Sequence, residues 1–165
     1  MASAESSASA RDPSLCFGSS AHGFTLIELM VVVAVVAIFS TLAAPSFRKL
    51  IAQQRVKTAS AALSESLWLA RSEALKRNDD VSFTFTDAST GWDVTNSAAA
   101  VLHHQDGFAS VSSQIRSGTG VFTFNPYGRL SGGSGQIEFS NGSAGVTRCV
   151  TVSTSGKATM KDMAC

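Results

Sequence analysis

The sequence is poor in the groups that carry out chemistry. Of its three histidines, His103 and His104 are neighbours, so on a strand they point to opposite faces, a poor geometry for sharing a metal or a proton. The third, His22, sits in the first two dozen residues. Hydroxyl side chains are plentiful, but no Gly-x-Ser-x-Gly elbow presents one as a nucleophile. We therefore expect no catalytic residue, no metal site and no cofactor. Charge is scarce too: 13 bases against 12 acids give a formal +1, too little to draw nucleic acid by bulk attraction. No internal repeat, long linker or block of like charge divides the chain. Its three cysteines, Cys16, Cys149 and Cys165, are an odd number.

Long apolar stretches, by contrast, are present. From Phe24 to Ala44 only Thr25, Glu28, Ser40 and Thr41 interrupt the run. Twenty-one helical residues at about 1.5 Å each span about 30 Å, the thickness of the hydrocarbon core. A carboxylate inside such a segment costs about 2.5–3.5 kcal/mol on insertion scales, which marks Glu28 as functional and in need of a cation. The nearest source of one is a new α-amino group on Phe24, created by a cut after Gly23. One span offers no pathway for ion transport.

The run Gly23-Phe24-Thr25-Leu26-Ile27-Glu28, continuing through the apolar segment to Pro45, resembles the signal of type IV pilins and pseudopilins. The resemblance implies a prepilin leader, residues 1–23, removed by prepilin peptidase between Gly23 and Phe24, with N-methylation of the exposed Phe24. Glu28 and Pro45 then take the family's assembly positions. Residues 24–44 form a hydrophobic transmembrane and assembly helix, 45–77 its amphipathic continuation, and 78–165 a β-rich periplasmic domain. The leader carries Arg11 against Glu5 and Asp12. Its loss leaves 12 bases against 10 acids, +2. Unlike a secretory signal, the apolar core follows the cut and survives it. Arg48, Lys49, Arg55 and Lys57 follow the span with no acid between Glu28 and Glu65. Charge bias alone would hold that side in the cytoplasm, whereas the resemblance implies a single pass of the bacterial inner membrane with the C-terminal side exported. The cut also removes Cys16. The remaining pair, Cys149 and Cys165, is expected to form a disulfide in an oxidising compartment.

Val56, Ala59, Leu63, Leu67, Ala70 and Ala74 recur at spacings of three and four, so one helix face stays apolar to about Arg77. Pro45 interrupts that helix, and Asn78-Asp79-Asp80 ends it. Beyond, the period becomes two: Val81, Phe83 and Phe85 alternate with polar residues. Further strands are expected around Trp92 and Val94, over 121–124, 136–140, 146–152 and 157–160. Asn141-Gly142 and Ser155-Gly156 mark turns, and residues 96–118 show no usable pattern. The expected fold is α+β: one long N-terminal helix packed on antiparallel sheet.

The stretch Leu69–Asn78, Gly91-Trp92, the Phe124–Arg129 turn and the closing strand with Gly156-Lys157 are similar to the GspH/FimT (FimU) H-type minor pseudopilins. That resemblance implies a pilin-like structural subunit at the tip of a type IV pilus or a type II secretion pseudopilus. Its partners would be prepilin peptidase, the inner membrane and other pilins or pseudopilins in a hetero-oligomeric filament. The alternative is a DNA-binding minor pilin acting in natural transformation. Such relatives carry Gly-Arg-x-Arg near the C-terminus; here Gly156-Lys157-Ala158-Thr159 keeps one base, with Arg148 and Lys161 as supplements. Losing the second arginine removes a bidentate phosphate donor, so a solvated basic surface is the favoured reading. Trp92 and Tyr127 are expected in core or turn packing.

Overall fold

The computed structural model describes residues 23–165, without the side chains of residues 42–44 and 143. The expected leader therefore lies outside the described residues apart from Gly23. The chain divides into two units, Met1–Phe39 and Ser40–Cys165.

Helix α1 runs Leu26–Arg77 and contains Pro45. Having no N–H to donate, the proline weakens the helix there. The helical span is divided accordingly into Leu26–Thr41 and Pro45–Arg77. Among the described residues no single helix is long and apolar enough to cross a membrane; that pair meets the length and composition requirement only together. At 1.5 Å per residue the first piece is about 24 Å long, shorter than the span expected over 24–44. At its far end α1 stops as the sequence leads one to expect. Asn78 adopts a left-handed conformation (φ 53°), and the Asp79 N–H donates to the Ala74 carbonyl at 3.3 Å. This is the Schellman arrangement that satisfies the last carbonyls of a helix.

Eight strands follow: β1 (Val81–Asp87), β2 (Gly91–Asn96), β3 (Val101–Asp106), β4 (Ser112–Ser117), β5 (Val121–Phe124), β6 (Gly135–Asn141), β7 (Val146–Val152) and β8 (Ala158–Lys161). They form two antiparallel four-stranded sheets, ordered β3-β2-β1-β5 and β4-β6-β7-β8. The residues between β2 and β5, unreadable in the sequence, supply an edge strand to each sheet. Asn141-Gly142 opens a 3-10 turn, Gly142–Ala144, closed by left-handed Gly145.

The core lies where α1 meets both sheets. Val56, Ala59, Leu63, Leu67, Ala70 and Ala74 are all buried, as their spacing predicts. They pack with Phe83, Phe85, Val94, Phe122 and Phe124 of the first sheet and Ile137, Phe139, Val150 and Val152 of the second. Three of the six helix residues, Ala59, Ala70 and Ala74, are alanines buried in that cluster. Trp92 joins the layers: its ring lies 5.7 Å from Phe85 and 6.4 Å from Phe139 of the other sheet. Its Nε1–H donates to the Ser66 hydroxyl on α1 at 2.9 Å, satisfying two polar groups that burial would otherwise leave costly.

Candidate assembly surface

In the first unit the described apolar side chains are left in the open. Phe24 is 81% exposed, and Leu26, Ile27, Leu29 to Val33, Val35, Val36, Ile38 and Phe39 are all exposed. They lie around the whole circumference of the helix, which excludes a one-sided packing face and leaves a membrane or a bundle as its surroundings. Glu28 opens the helix. Its N–H donates to the Thr25 hydroxyl at 3.2 Å, and its carboxylate accepts a long hydrogen bond, 3.5 Å, from the Thr25 N–H. Thr25-x-x-Glu28 is thus a capping box, the reciprocal satisfaction of two orphan donors. The reading of Glu28 as a charge awaiting a partner missed this. The Ser/Thr-x-x-Glu spacing was the signal that announces it.

The second unit shows where the remaining sequence-predicted residues sit. Cys149 and Cys165 are joined in a disulfide with Cα atoms 5.1 Å apart. The Cys165 N–H donates to Glu138 Oε2 at 2.9 Å, and Arg116 Nη2 reaches Oε1 at 2.6 Å. The Arg116 hydrogen bond holds the buried Glu138 carboxyl below its ordinary value, burial opposes it, and the Cys165 N–H assists. Nothing in the sequence signalled this network, because Glu138 faces away from the apolar side of β6.

The three candidate DNA contacts have different surroundings. Arg148 is mostly covered, its Nε 2.7 Å from Asp162 Oδ1 in an ion pair without hydrogen-bond geometry, and its Nη1 3.4 Å from the Ser60 hydroxyl on α1. That charge is already neutralised within the fold. Lys157 and Lys161 are exposed, in the β7–β8 hairpin and at the end of β8. The hairpin turn is held by structure: Gly156 has φ +77°, and a Cβ there would meet the Gly128 carbonyl at 2.5 Å. At Gly128, φ +70°, a Cβ would stand 3.0 Å from Arg71 Nε of α1. Both glycines serve the docking of two turns on the helix. Tyr127, next to Gly128, is almost fully exposed, while Asn125 Oδ1 accepts from the N–H groups of Tyr127 and Arg129.

His104 pairs with Asp93, Nδ1 to Oδ1 2.6 Å, and with Asp106 at 3.4 Å. The Asp93 hydrogen bond raises its pKa above the ordinary 6.5. Among the described residues no group of histidine, cysteine, aspartate and glutamate is arranged to hold a metal ion.

The sequence model described as Type II transport protein GspH matches residues 59–156. The chain belongs to the GspH family. A prokaryotic N-terminal methylation motif matches residues 18–44 of this GspH-family protein. Its fold is similar to that of the type IV minor pilin FimU of Pseudomonas aeruginosa, at 22% identity and a TM-score of 0.57, covering 66% of this chain and 89% of that one. It is also similar to the minor pseudopilin EpsH from the Type 2 Secretion System of Vibrio cholerae, at 9% identity and a TM-score of 0.54, covering 66% and 97%. No curated protein matches the chain. Membership in the GspH family, on a pilin-like fold of one long helix and antiparallel sheets, makes it a structural subunit of the minor pilin and pseudopilin kind and not an enzyme.

Proposed function

We propose that the chain is a minor subunit of a type II secretion pseudopilus or type IV pilus, placed at the filament tip and assembled through its N-terminal helix. The observation that carries the reading is an apolar helix exposed on every described side, under a methylation motif, on the same chain as a GspH domain. Before assembly that helix anchors the protein once in the bacterial inner membrane, with the sheets in the periplasm. Prepilin peptidase cuts between Gly23 and Phe24, and Phe24 is N-methylated. Neighbouring pilins or pseudopilins then take up the helix.

The capping box gives Glu28 two successive roles. In the free subunit its carboxylate caps the start of its own helix. In the filament it pairs with the Phe24 ammonium of a neighbour, in a low-dielectric bundle where an unpaired charge is costly. Axial register between subunits follows from that pairing. Pro45 contributes a break in the helix between the apolar run and its amphipathic continuation.

Mass analysis of the protein recovered from membranes tests the processing step. A mature chain beginning at N-methylated Phe24 is expected; a chain retaining residues 1–23 in cells with active peptidase would refute it. Incorporation into sheared filaments or cross-linked tip complexes tests the assembly step. Glu28→Ala should fold, reach the membrane and be depleted from assemblies by tenfold or more.

A further inference from the structure

Three open cavities among the described residues of the second unit differ in the charge of their linings. One, of about 490 Å³, is lined by Lys49, Lys57 and Arg148 but also by Asp162. A second, of about 390 Å³, beside Trp68 and Arg71, includes Glu65. The third, larger than these two at about 1020 Å³, has three bases, Arg48, Lys49 and Arg55, and no acid among the described residues of its lining. Thr41, Pro45, Ile51 and Ala52 complete its helical wall, and Ser110, Asn141 and Ala144 form the opposite one. Arg48, Ile51, Ala52 and Arg55 recur at three and four residues, so one helix face presents alternating cation and hydrocarbon to the groove.

The geometry points to this groove as a seat for the head group of an anionic phospholipid, with Arg48 and Arg55 on the phosphate and Ile51 against the first methylenes of the acyl chains. Three observations favour that occupant. The groove begins at Thr41 and Pro45, where the apolar run ends in sequence, which is the depth of the head groups. Among the described residues no acid shares its lining, and although Lys49 also borders the cavity that holds Asp162, neither Arg48 nor Arg55 lies in a described ion pair. Its lining is amphiphilic: Ile51 is half exposed among the cations, and Phe47 and Leu50 beside it are exposed as well. Basic residues just outside a span attract anionic lipid by charge and keep their stems along its hydrocarbon. This assignment rests on the membrane-anchoring reading above. It explains why a basic cluster follows the span on the exported side: the cluster holds lipid until the filament extracts the helix.

The test uses the full chain reconstituted in vesicles of phosphatidylcholine with phosphatidylglycerol. Alkaline carbonate extraction first reports insertion; release of the protein would overturn both the anchor and the lipid site. Native mass spectrometry of the inserted protein, released in neutral detergent, then counts retained lipid. We expect retention of phosphatidylglycerol at least fivefold above phosphatidylcholine, a preference that Arg48→Gln with Arg55→Gln reduces to less than twofold and Lys161→Gln leaves intact. Both arginines are exposed, and an unchanged thermal melt of the double variant separates lost binding from lost fold. Equal retention of the two lipids overturns the lipid site while leaving the anchor standing. Competition by inorganic phosphate at the same concentration shows a general anion site instead and also overturns it. So does a double variant that keeps its lipid preference but loses self-association, which would make the groove a contact between copies.

Discussion

Glu28 and Glu138 are two carboxylates with opposite surroundings. Glu28 caps a helix in the open, so its charge and its capping are separable. Gln preserves a capping box but carries no charge. If assembly depends on charge, Glu28→Gln should be depleted from filaments as severely as Glu28→Ala; recovery of Gln to wild-type incorporation would leave capping as the only role. Glu138 is buried, and its pKa is lowered mainly by Arg116. A depressed carboxylate stabilises the fold above the unfolded-state range, about 4.3, and loses that contribution as pH falls through the lower folded value. Thermal melts should therefore decline on acidification below about pH 4.5. Arg116→Gln should be less stable at neutral pH and show a shallower decline; an unchanged slope would dissociate Arg116 from the effect. The Thr25-Glu28 box was legible in the sequence as a spacing. The Glu138 network was not, because it joins β4, β6 and Cys165 through groups far apart in the chain.

At the level of elements, what could be read depended on burial. The buried face of α1 and the alternation of β1 were both visible because a core demands a period. β3 and β4 were invisible. Each is an edge strand, with little of it buried, so packing imposes no alternation on Val101–Asp106 or Ser112–Ser117. The small residues of α1 carry a further consequence. Ala59 is fully buried beneath the strands, and Ala59→Leu should destabilise the domain by about 1–3 kcal/mol through overpacking. Leu75→Ala, at a half-exposed position of the same helix, should shift stability by only about 0.5 kcal/mol. Comparable losses in chemical denaturation would show that the helix does not pack on the sheets through its alanine face.

For the whole molecule, the disulfide is the covalent constraint that ties the end of the chain to the second sheet. Cys149 and Cys165 are 16 residues apart, and closing a loop of that size stabilises by about 3 kcal/mol in the chain-entropy model. Reduction also frees Cys165, whose N–H completes the bonding of Glu138. Reducing conditions, or Cys149→Ser with Cys165→Ser, should lower the denaturation midpoint accordingly. A loss well under about 1 kcal/mol would mean that the closing segment stays docked without its tether. The apolar N-terminal helix and the folded domain answer to different surroundings, one to lipid or neighbouring subunits, the other to its own core.

Chain order alone was enough for the apolar run, the acid within it, the resemblance to a pilin-type N-terminus, the helix face and the strands that border the core. These are local or periodic, and local spacing is written directly into the chain. The division of the strands between two sheets, the contact of Trp92 with rings of both, and the wall that Ser110, Asn141 and Ala144 set opposite the helical bases came only with the tertiary structure. Each depends on residues tens of positions apart meeting around a shared core, and no spacing along the chain encodes which of them will meet.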